Sequence, residues 1–351
     1  MGSGSMKGQW PWLAWAAPRA FGAPRAFGAP RAFEASRVAI RVAACGILWA
    51  LGIAWATAQG GTSDEMTRDI EWAVMQGKAG RFEEALAVLR PHLSERPEAA
   101  KAWYVSGFLY KERFKDRPAT STMDNGDDRN VDRHLAIQAL ETSLDLSRQG
   151  MSPPTWSESA VKALDYLGGT YHDEMVLAVR SFQPGMESSI QSWFDRYAEV
   201  MSVVDPSWDP RPEQTELHKN LARAYRLHFE ASGRASDFEG LVRQYGLALE
   251  LSPQDMTAWY NLAVNLYNRG VAVIKTIDHT TTLWELNEKQ EVCLAYFKRS
   301  LEPLQQAYAL APQRPETLKG LMTVHHRLDH TTEYERYREE LQRALNNKGG
   351  R

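Results

Sequence analysis

The chain of 351 residues has little cysteine, since Cys45 and Cys293 are its only two. Cys45 lies in a segment that we expect to be removed, so the mature chain would hold one thiol and no internal disulfide. The sequence also lacks an excess of positive charge, with 41 basic against 44 acidic residues and a formal net charge of -3. Nucleic-acid binding usually needs a basic face. We therefore expect no nucleic-acid partner.

Recognisable catalytic motifs are missing as well. The sequence holds no HExxH, Walker loop, GxGxxG or GxSxG pattern. His325 and His326 are adjacent and point to different faces of a helix, which argues against a shared metal. Asp124, Asp127 and Asp128 lie in one polar loop but lack the ligand spacing of an EF-hand. We expect no enzyme, no cofactor and no metal site.

Only one long apolar run is present, and it lies near the start of the chain. It covers 42–58, follows Arg37 and Arg41, and ends in the small-residue sequence Ala56-Thr57-Ala58. This arrangement is typical of a secretory signal peptide, which we assign to 38–59. An uncleaved membrane anchor is the alternative. Residues 1–37, which repeat APRAF three times, are predicted to be a low-complexity, disordered extension.

From Glu65 onward the pattern is helical, and no run of alternating β-branched residues is evident. The stretch AWYNLAVNLYNRG, at 258–270, places Trp259, Leu262, Ala263 and Leu266 at i, i+3, i+4 and i+7, one face of an α-helix. Gly270 is placed to end that helix. Prolines recur at the ends of the helical units, at Pro97, Pro153-Pro154, Pro206, Pro253 and Pro312.

These residues resemble the tetratricopeptide repeat (TPR), whose signature is a Trp, then Leu-Gly, a Tyr, a later small residue and a closing Pro. Ala263 stands where the signature has Gly, and Leu266 where it has Tyr. The resemblance implies an all-α fold, a TPR-like α-solenoid of about five to six helix pairs over 60–346. Residues 347–351 are expected to form a flexible tail. Two insertions are expected, at about 115–131 and 271–297, and with them the chain resembles secreted TPR proteins of Bacteroidota-type Gram-negative bacteria.

The family also implies a function, because stacked helix pairs leave a concave surface that the first helix of each pair lines. The polar and aromatic positions of those helices would meet a partner peptide or helix. Lys219, Arg223 and Arg226 form a basic stripe at i, i+4 and i+7, which could hold an acidic or C-terminal segment. The remaining candidates are aromatic or amide side chains at similar positions: Tyr104, Phe108, Tyr260, Asn261, Tyr267 and Asn268. A solvated face, or packing into the next repeat, is the alternative for these residues.

The leading hypothesis is a non-enzymatic scaffold in the periplasm or envelope that docks a protein or peptide partner. A membrane-anchored accessory subunit of an envelope complex is the second hypothesis. An enzyme whose site is built by the two insertions is the third.

Overall fold

A computed structural model describes residues 64–117, 128–150 and 154–349. These residues form twelve α-helices and contain no β-strand. They divide into two compact units, which we call the N-terminal unit (64–210) and the C-terminal unit (211–349). The expectation of an all-α fold is confirmed.

The N-terminal unit consists of three helix pairs, in which each helix packs against the next along the chain. Its helices are α1 (Asp64–Lys78), α2 (Phe82–Glu95), α3 (Ala100–Asp116), α4 (Asp128–Arg148), α5 (Pro154–Arg180) and α6 (Glu187–Val204). Apolar positions spaced by three and four residues form the core of the first pair, where Ala85, Leu86 and Leu89 are buried as predicted. Gly80, at φ +76°, makes the tight turn between α1 and α2.

The C-terminal unit repeats this design. Its helices are α7 (Arg211–Ser232), α8 (Ala235–Leu251), α9 (Met256–Ile274), α10 (Leu283–Leu310), α11 (Pro315–Arg327) and α12 (Thr331–Gly349). The pairs α7–α8, α9–α10 and α11–α12 pack internally, and α8 and α10 each also pack on the first helix of the next pair. The described residues thus contain six pairs, at the upper end of the predicted five to six.

Proline closes four of the second helices in the same way. The helices α2, α6, α8 and α10 end two residues before a proline, and the N–H of the C-cap residue between them donates to the carbonyl four residues earlier. The donors are Arg96, Asp205, Ser252 and Ala311, at 2.9, 2.9, 3.0 and 3.1 Å. A residue before proline disfavours the α conformation, so the helix stops there. The predicted unit boundaries at Pro97, Pro206, Pro253 and Pro312 are confirmed.

Two tryptophans make the same contact in different pairs. The indole N–H of Trp103 donates to the carbonyl of Pro97 at 2.9 Å, and that of Trp259 donates to the carbonyl of Pro253 at 2.9 Å. The tryptophan of each first helix is thereby tied to the turn that closes the preceding pair. An identical bond at an identical spacing of six residues shows that 97–116 and 253–274 are copies of one structural unit.

The prediction that Gly270 ends its helix was wrong, because α9 continues to Ile274. Gly270 is buried, and a Cβ there would lie 2.7 Å from Cε1 of Phe297 and 3.1 Å from the carbonyl oxygen of Cys293. Its role is therefore close packing of α9 on α10. Gly107 does the same on α3, where a Cβ would lie 2.6 Å from Cγ of Leu140.

The second predicted insertion, 271–297, mainly lengthens the fifth pair. Its first residues extend α9, a loop of 275–282 follows, and the rest forms the N-terminal part of the 28-residue helix α10. A capping box between Thr282 and Glu285 starts α10. Pro303 lies inside this helix and is buried.

Several predictions fall outside the described residues. They are the extension 1–37, the signal peptide or anchor 38–59, residues 118–127 of the first insertion and the last residues of the tail. Among the helices that the structure does describe, none is both long enough and apolar enough to cross a membrane.

A buried histidine, His325, contacts the exposed His330 in the last repeat. His325 on α11 stacks on Tyr337 of α12, and its Nδ1 lies 3.1 Å from Nδ1 of His330. Burial lowers the pKa of His325, and His330 lowers it further; Arg336 acts in the same direction and Glu333 opposes them. Because the folded pKa lies below the unfolded value of about 6.5, the unfolded state binds more protons as the pH falls through that value.

We expect acidification from about pH 7.5 to about pH 5.5 to lower the free energy of unfolding, and His325→Phe to reduce that loss. Phenylalanine keeps the stacking on Tyr337 but cannot titrate. Urea titrations at the two pH values measure the difference. His326→Phe is the control, since His326 is exposed on the same helix and stacks on Tyr334. Equal pH dependence of wild type and His325→Phe would contradict this role.

Candidate functional site

The candidate site is the face that the first helices α7, α9 and α11 present in the C-terminal unit. We call it the first-helix face and define it by Lys219, Arg223, Tyr260, Asn261 and Arg314. Two contacts made by these residues join neighbouring first helices. Lys219 Nζ on α7 lies 2.8 Å from Oδ2 of Asp255, the N-cap of α9. One pair later, the guanidinium of Arg314, the N-cap of α11, lies 4.3 Å from the ring centre of Tyr260.

These two contacts occupy equivalent places in successive repeats. In each, a residue in the middle of one first helix touches the N-cap of the next. Lys219 is half-buried, and burial acts to lower its pKa, but hydrogen bonds to Asp255 and Glu216 outweigh burial and raise the pKa. Lys219 therefore stays charged, and its charge is compensated within the fold by Asp255 and Glu216. Burial raises the pKa of Tyr260, an effect that Arg314 opposes.

The N-terminal unit uses an aromatic pair at the corresponding position. Tyr104 on α3 stacks on Trp156 near the start of α5, with ring centres 5.7 Å apart and an interplanar angle of 14°. Phe108 lies beside Tyr104, with ring centres 4.8 Å apart, and Lys111 Nζ is 4.4 Å from its ring centre. Both rings are half-buried. Tyr104 therefore packs between repeats, as the alternative in the sequence analysis allowed.

The basic stripe on α7 differs in its pairing from one residue to the next. Lys219 is paired as described, and Arg226 lies 2.7 Å from Glu230. Arg223 is exposed, and among the described residues no carboxylate lies within ion-pair distance of it. All three cations influence the hydroxyl of Tyr245, whose pKa is raised mainly by burial while the cations oppose that rise. Arg223 is thus an exposed cation whose charge no described carboxylate compensates.

The amide and aromatic candidates on α9 lie in different environments. The side chain of Asn261 lies near the hydroxyl of Tyr245 and acts to lower its pKa, which places Asn261 beside the basic stripe. Asn268 is half-buried. Tyr267 is only 5% exposed, and its ring centre lies 5.2 Å from that of Phe297. The expectation that Tyr267 meets a partner is corrected, because its position on α9 faces α10.

The sequence analysis missed a group of buried charges in the N-terminal unit. Asp132 and Arg133 on α4 are each 1% exposed. Asp132 pairs with Arg113 and Arg117 of the preceding helix, and Arg133 pairs with Glu174 of α5 at 2.8 Å. Charged residues are usually exposed, so a helical pattern alone places them in solvent. The sequence does carry one signal of this burial, namely the aromatic residues of α3, α5 and α6, whose rings surround Arg133.

Outside these faces, the described residues offer few groups suited to metal binding or nucleophilic catalysis. Within the described ranges, no group of three or more His, Cys, Asp or Glu residues is placed to hold a metal ion. Cys293 is buried, and burial raises the pKa of its thiol, which disfavours the reactive thiolate.

The helix pairs, their proline closures and the repeated Trp-to-carbonyl bonds define a TPR-like helix-pair repeat protein. Scans against protein-family models and curated protein sequences found no match. Similarity to solved structures is low. MamA shares 13% identity, with 70% of this chain and 94% of that chain covered and a TM-score of 0.28. PilW, described as a type IV pilus biogenesis factor, shares 14%, with 81% and 100% covered and a TM-score of 0.24.

YrrB, described as a TPR protein with an unusual peptide-binding site, shares 18% identity, with 72% of this chain and 89% of that chain covered and a TM-score of 0.20. TM-scores this low carry no argument about function. The TPR-like description rests on the helix pairs of the chain itself.

Proposed function

We propose that this protein is a non-enzymatic protein-interaction module, and that the first-helix face of the C-terminal unit binds a segment of a partner protein. The observation that carries the proposal is Arg223. It is exposed on the first helix α7, and no described carboxylate neutralises it. The neighbouring Lys219 is held by Asp255 at 2.8 Å, so it leaves Arg223 as the cation available to a ligand.

The partner segment is expected to carry a carboxylate, from an acidic side chain or a C-terminus. Arginine binds carboxylates through two parallel hydrogen bonds, which add geometric specificity to the charge attraction. The neighbouring Asn261 offers a neutral polar group for the partner's backbone, and Leu227, one turn beyond Arg223, is 55% exposed and offers an apolar contact. A charged, a polar and an apolar group side by side suit a peptide or a partner helix.

We further propose that the protein acts in the periplasm or envelope after export by the segment 38–59. The basic flank, the apolar run and the small-residue exit support this location. Mass measurement of the protein from its native organism tests it. A mature chain that begins at Gln59 is expected, whereas a chain that retains 42–58 would favour the membrane-anchored accessory subunit.

The variant Arg223→Glu is expected to weaken partner capture at least about tenfold, equivalent to about 1.4 kcal/mol. The charge reversal replaces an attraction with a repulsion for a partner carboxylate. The protein is immobilised, exposed to an envelope extract of the native organism, and the co-purifying chain is quantified. Arg223 is exposed and unpaired, so the helix content is expected to stay unchanged. A triple Glu variant of Lys219, Arg223 and Arg226 should abolish capture, but it also breaks the Lys219–Asp255 contact.

Lys298→Glu supplies the matched control. Lys298 is exposed on the second helix α10 and undergoes the same charge reversal away from the first-helix face. Capture by Lys298→Glu is expected to equal that of wild type. If Arg223→Glu captures as much partner as Lys298→Glu does, the first-helix face is not the binding surface.

A further inference from the structure

A polar cleft in the N-terminal unit lies apart from the first-helix face. It is formed by α4, α5 and α6 and has a volume of about 410 Å³, within the range of about 300–1,000 Å³ that is typical of small-molecule sites. Cationic and hydroxyl side chains dominate its walls. The lining residues are Asn130, Arg133, His134, Tyr171, Ser188, Ser189, Ser192, Trp193 and Arg196.

Arg133 is held rigidly in one wall of the cleft. Its guanidinium carbon lies 3.8 Å from the ring centre of Tyr171 and 5.0 Å from that of Trp193. Nη1 donates to Thr170 at 3.1 Å and to Glu174 at 2.8 Å, and Nη2 donates to Asn130. Its Nε is buried and has no hydrogen-bond partner among the described residues. A buried, unsatisfied donor on a charged side chain is costly, so this guanidinium is not fully compensated by the fold.

The charge of the cleft is positive. None of its lining residues is a carboxylate. Glu174, behind the wall, is shared between Arg133 and Arg129. At the rim, Arg196 is 53% exposed and lies 3.0 Å from Glu199 on the same helix, an exposed pair that a ligand could displace at little cost.

The start of helix α6 adds hydrogen-bond donors. Ser188 and Ser189 lie in the first turn of this 18-residue helix, and Ser192 lies one turn further. Its N-cap residue, Met186, makes no side-chain cap, and Glu187 in the first turn accepts a hydrogen bond from the N–H of Gly185 at 2.8 Å. The first backbone N–H groups and the positive end of the helix dipole favour an anion at this end. The serine hydroxyls of α6 and the guanidinium of α4 line the same cleft from two sides.

We propose that this cleft binds a small anionic molecule through a phosphoryl group. A phosphoryl group offers several acceptor oxygens and two negative charges, which match donors arriving from Arg133, Arg196 and the serines of α6. A carboxylate has only two oxygens and one charge, and would leave part of this donor set unused. The site lies in a different unit from Arg223 and does not depend on the proposed partner-binding function.

Calorimetric titration of the full chain with pyrophosphate tests the proposal, with succinate as the carboxylate probe at the same ionic strength. Wild type is expected to bind pyrophosphate at least about tenfold more tightly than succinate. Ser192→Glu places a carboxylate in the cleft and is expected to weaken pyrophosphate binding at least about tenfold. Arg196→Gln removes a rim cation and should weaken it as well. Both side chains are exposed, so both variants are expected to keep the circular dichroism spectrum of wild type.

Ser202→Glu makes the same change on the same helix outside the cleft, at an exposed position, and is expected to bind pyrophosphate as wild type does. Absence of pyrophosphate binding by wild type would overturn the proposal. Equal binding by Ser192→Glu and Ser202→Glu would place the anion elsewhere and overturn it too. Succinate binding as tight as that of pyrophosphate would overturn the phosphoryl assignment.

Discussion

Replacing Asp132 with alanine is expected to lower the free energy of unfolding by about 3–5 kcal/mol, as is usual when one partner of a buried charge pair is removed. Asp132 is 1% exposed and accepts a hydrogen bond from Nε of Arg113 at 3.0 Å. Nε of Arg117 lies 2.9 Å from its other oxygen, and Arg113 also pairs with Glu83 of α2. The carboxylate therefore links α4 to α3 and, through Arg113, to α2. Without it, Arg113 and Arg117, whose side chains are 14% and 28% exposed, each lose one ion-pair partner.

Urea denaturation of the full chain, followed by circular dichroism, measures this loss. Asp145→Ala is the matched control, because Asp145 lies on the same helix, is 65% exposed and pairs with the exposed Arg148 at 3.2 Å. Exposed pairs contribute only about 0–1 kcal/mol, so the control should change little. Asp132→Asn keeps one carbonyl acceptor at this position. Its loss of unfolding free energy should lie between those of Asp132→Ala and Asp145→Ala. If Asp132→Ala and Asp145→Ala unfold at the same urea concentration, the buried pair does not hold these helices together.

Substituting Gly240 with alanine is expected to destabilise the C-terminal unit by about 1–3 kcal/mol, through overpacking of a filled core. Gly240 lies on α8, and a Cβ there would overlap the ring of Tyr225 on α7. That ring is 3% exposed and cannot swing into solvent. The helix-forming advantage of alanine over glycine, about 1 kcal/mol, offsets only part of the clash.

Gly246 provides the comparison within the same helix. A Cβ at Gly246 would meet no atom within 4 Å. Gly246→Ala should therefore stabilise the protein by up to about 1 kcal/mol, the propensity gain alone. The two alanine variants are expected to move the thermal midpoint in opposite directions. A Gly240→Ala variant as stable as Gly246→Ala would show that α7 and α8 do not approach as closely as described.

Much of the architecture could be predicted from the sequence, because helix pairs are encoded locally. The proline closures at Pro97, Pro206, Pro253 and Pro312 were predicted from the spacing of single residues. Gly270 shows where local reasoning fails. Glycine both ends helices and permits close packing, and only the position of Phe297 on the facing helix decides between these roles.

The candidate site was predicted only in outline. The i, i+4, i+7 spacing placed Lys219, Arg223 and Arg226 on one face of α7. The spacing could not show that Lys219 is held by Asp255, a residue 36 positions away, while Arg223 is left unpaired. Likewise, nothing local marks Arg133 as buried, since its aromatic neighbours Tyr171 and Trp193 come from two later helices. Contacts between distant segments decide which charges are available.

Site-specific photo-cross-linking in the native organism tests most directly whether the first-helix face binds a partner. A photoreactive residue replaces Leu227, which is 55% exposed one turn from Arg223 and leaves that arginine in place. A second variant of the protein carries the same photoreactive residue in place of Lys298 on α10. The partner-binding account predicts a discrete cross-linked protein from position 227 and none from position 298. A cross-link from position 298 alone, or the same product from both positions, would contradict it.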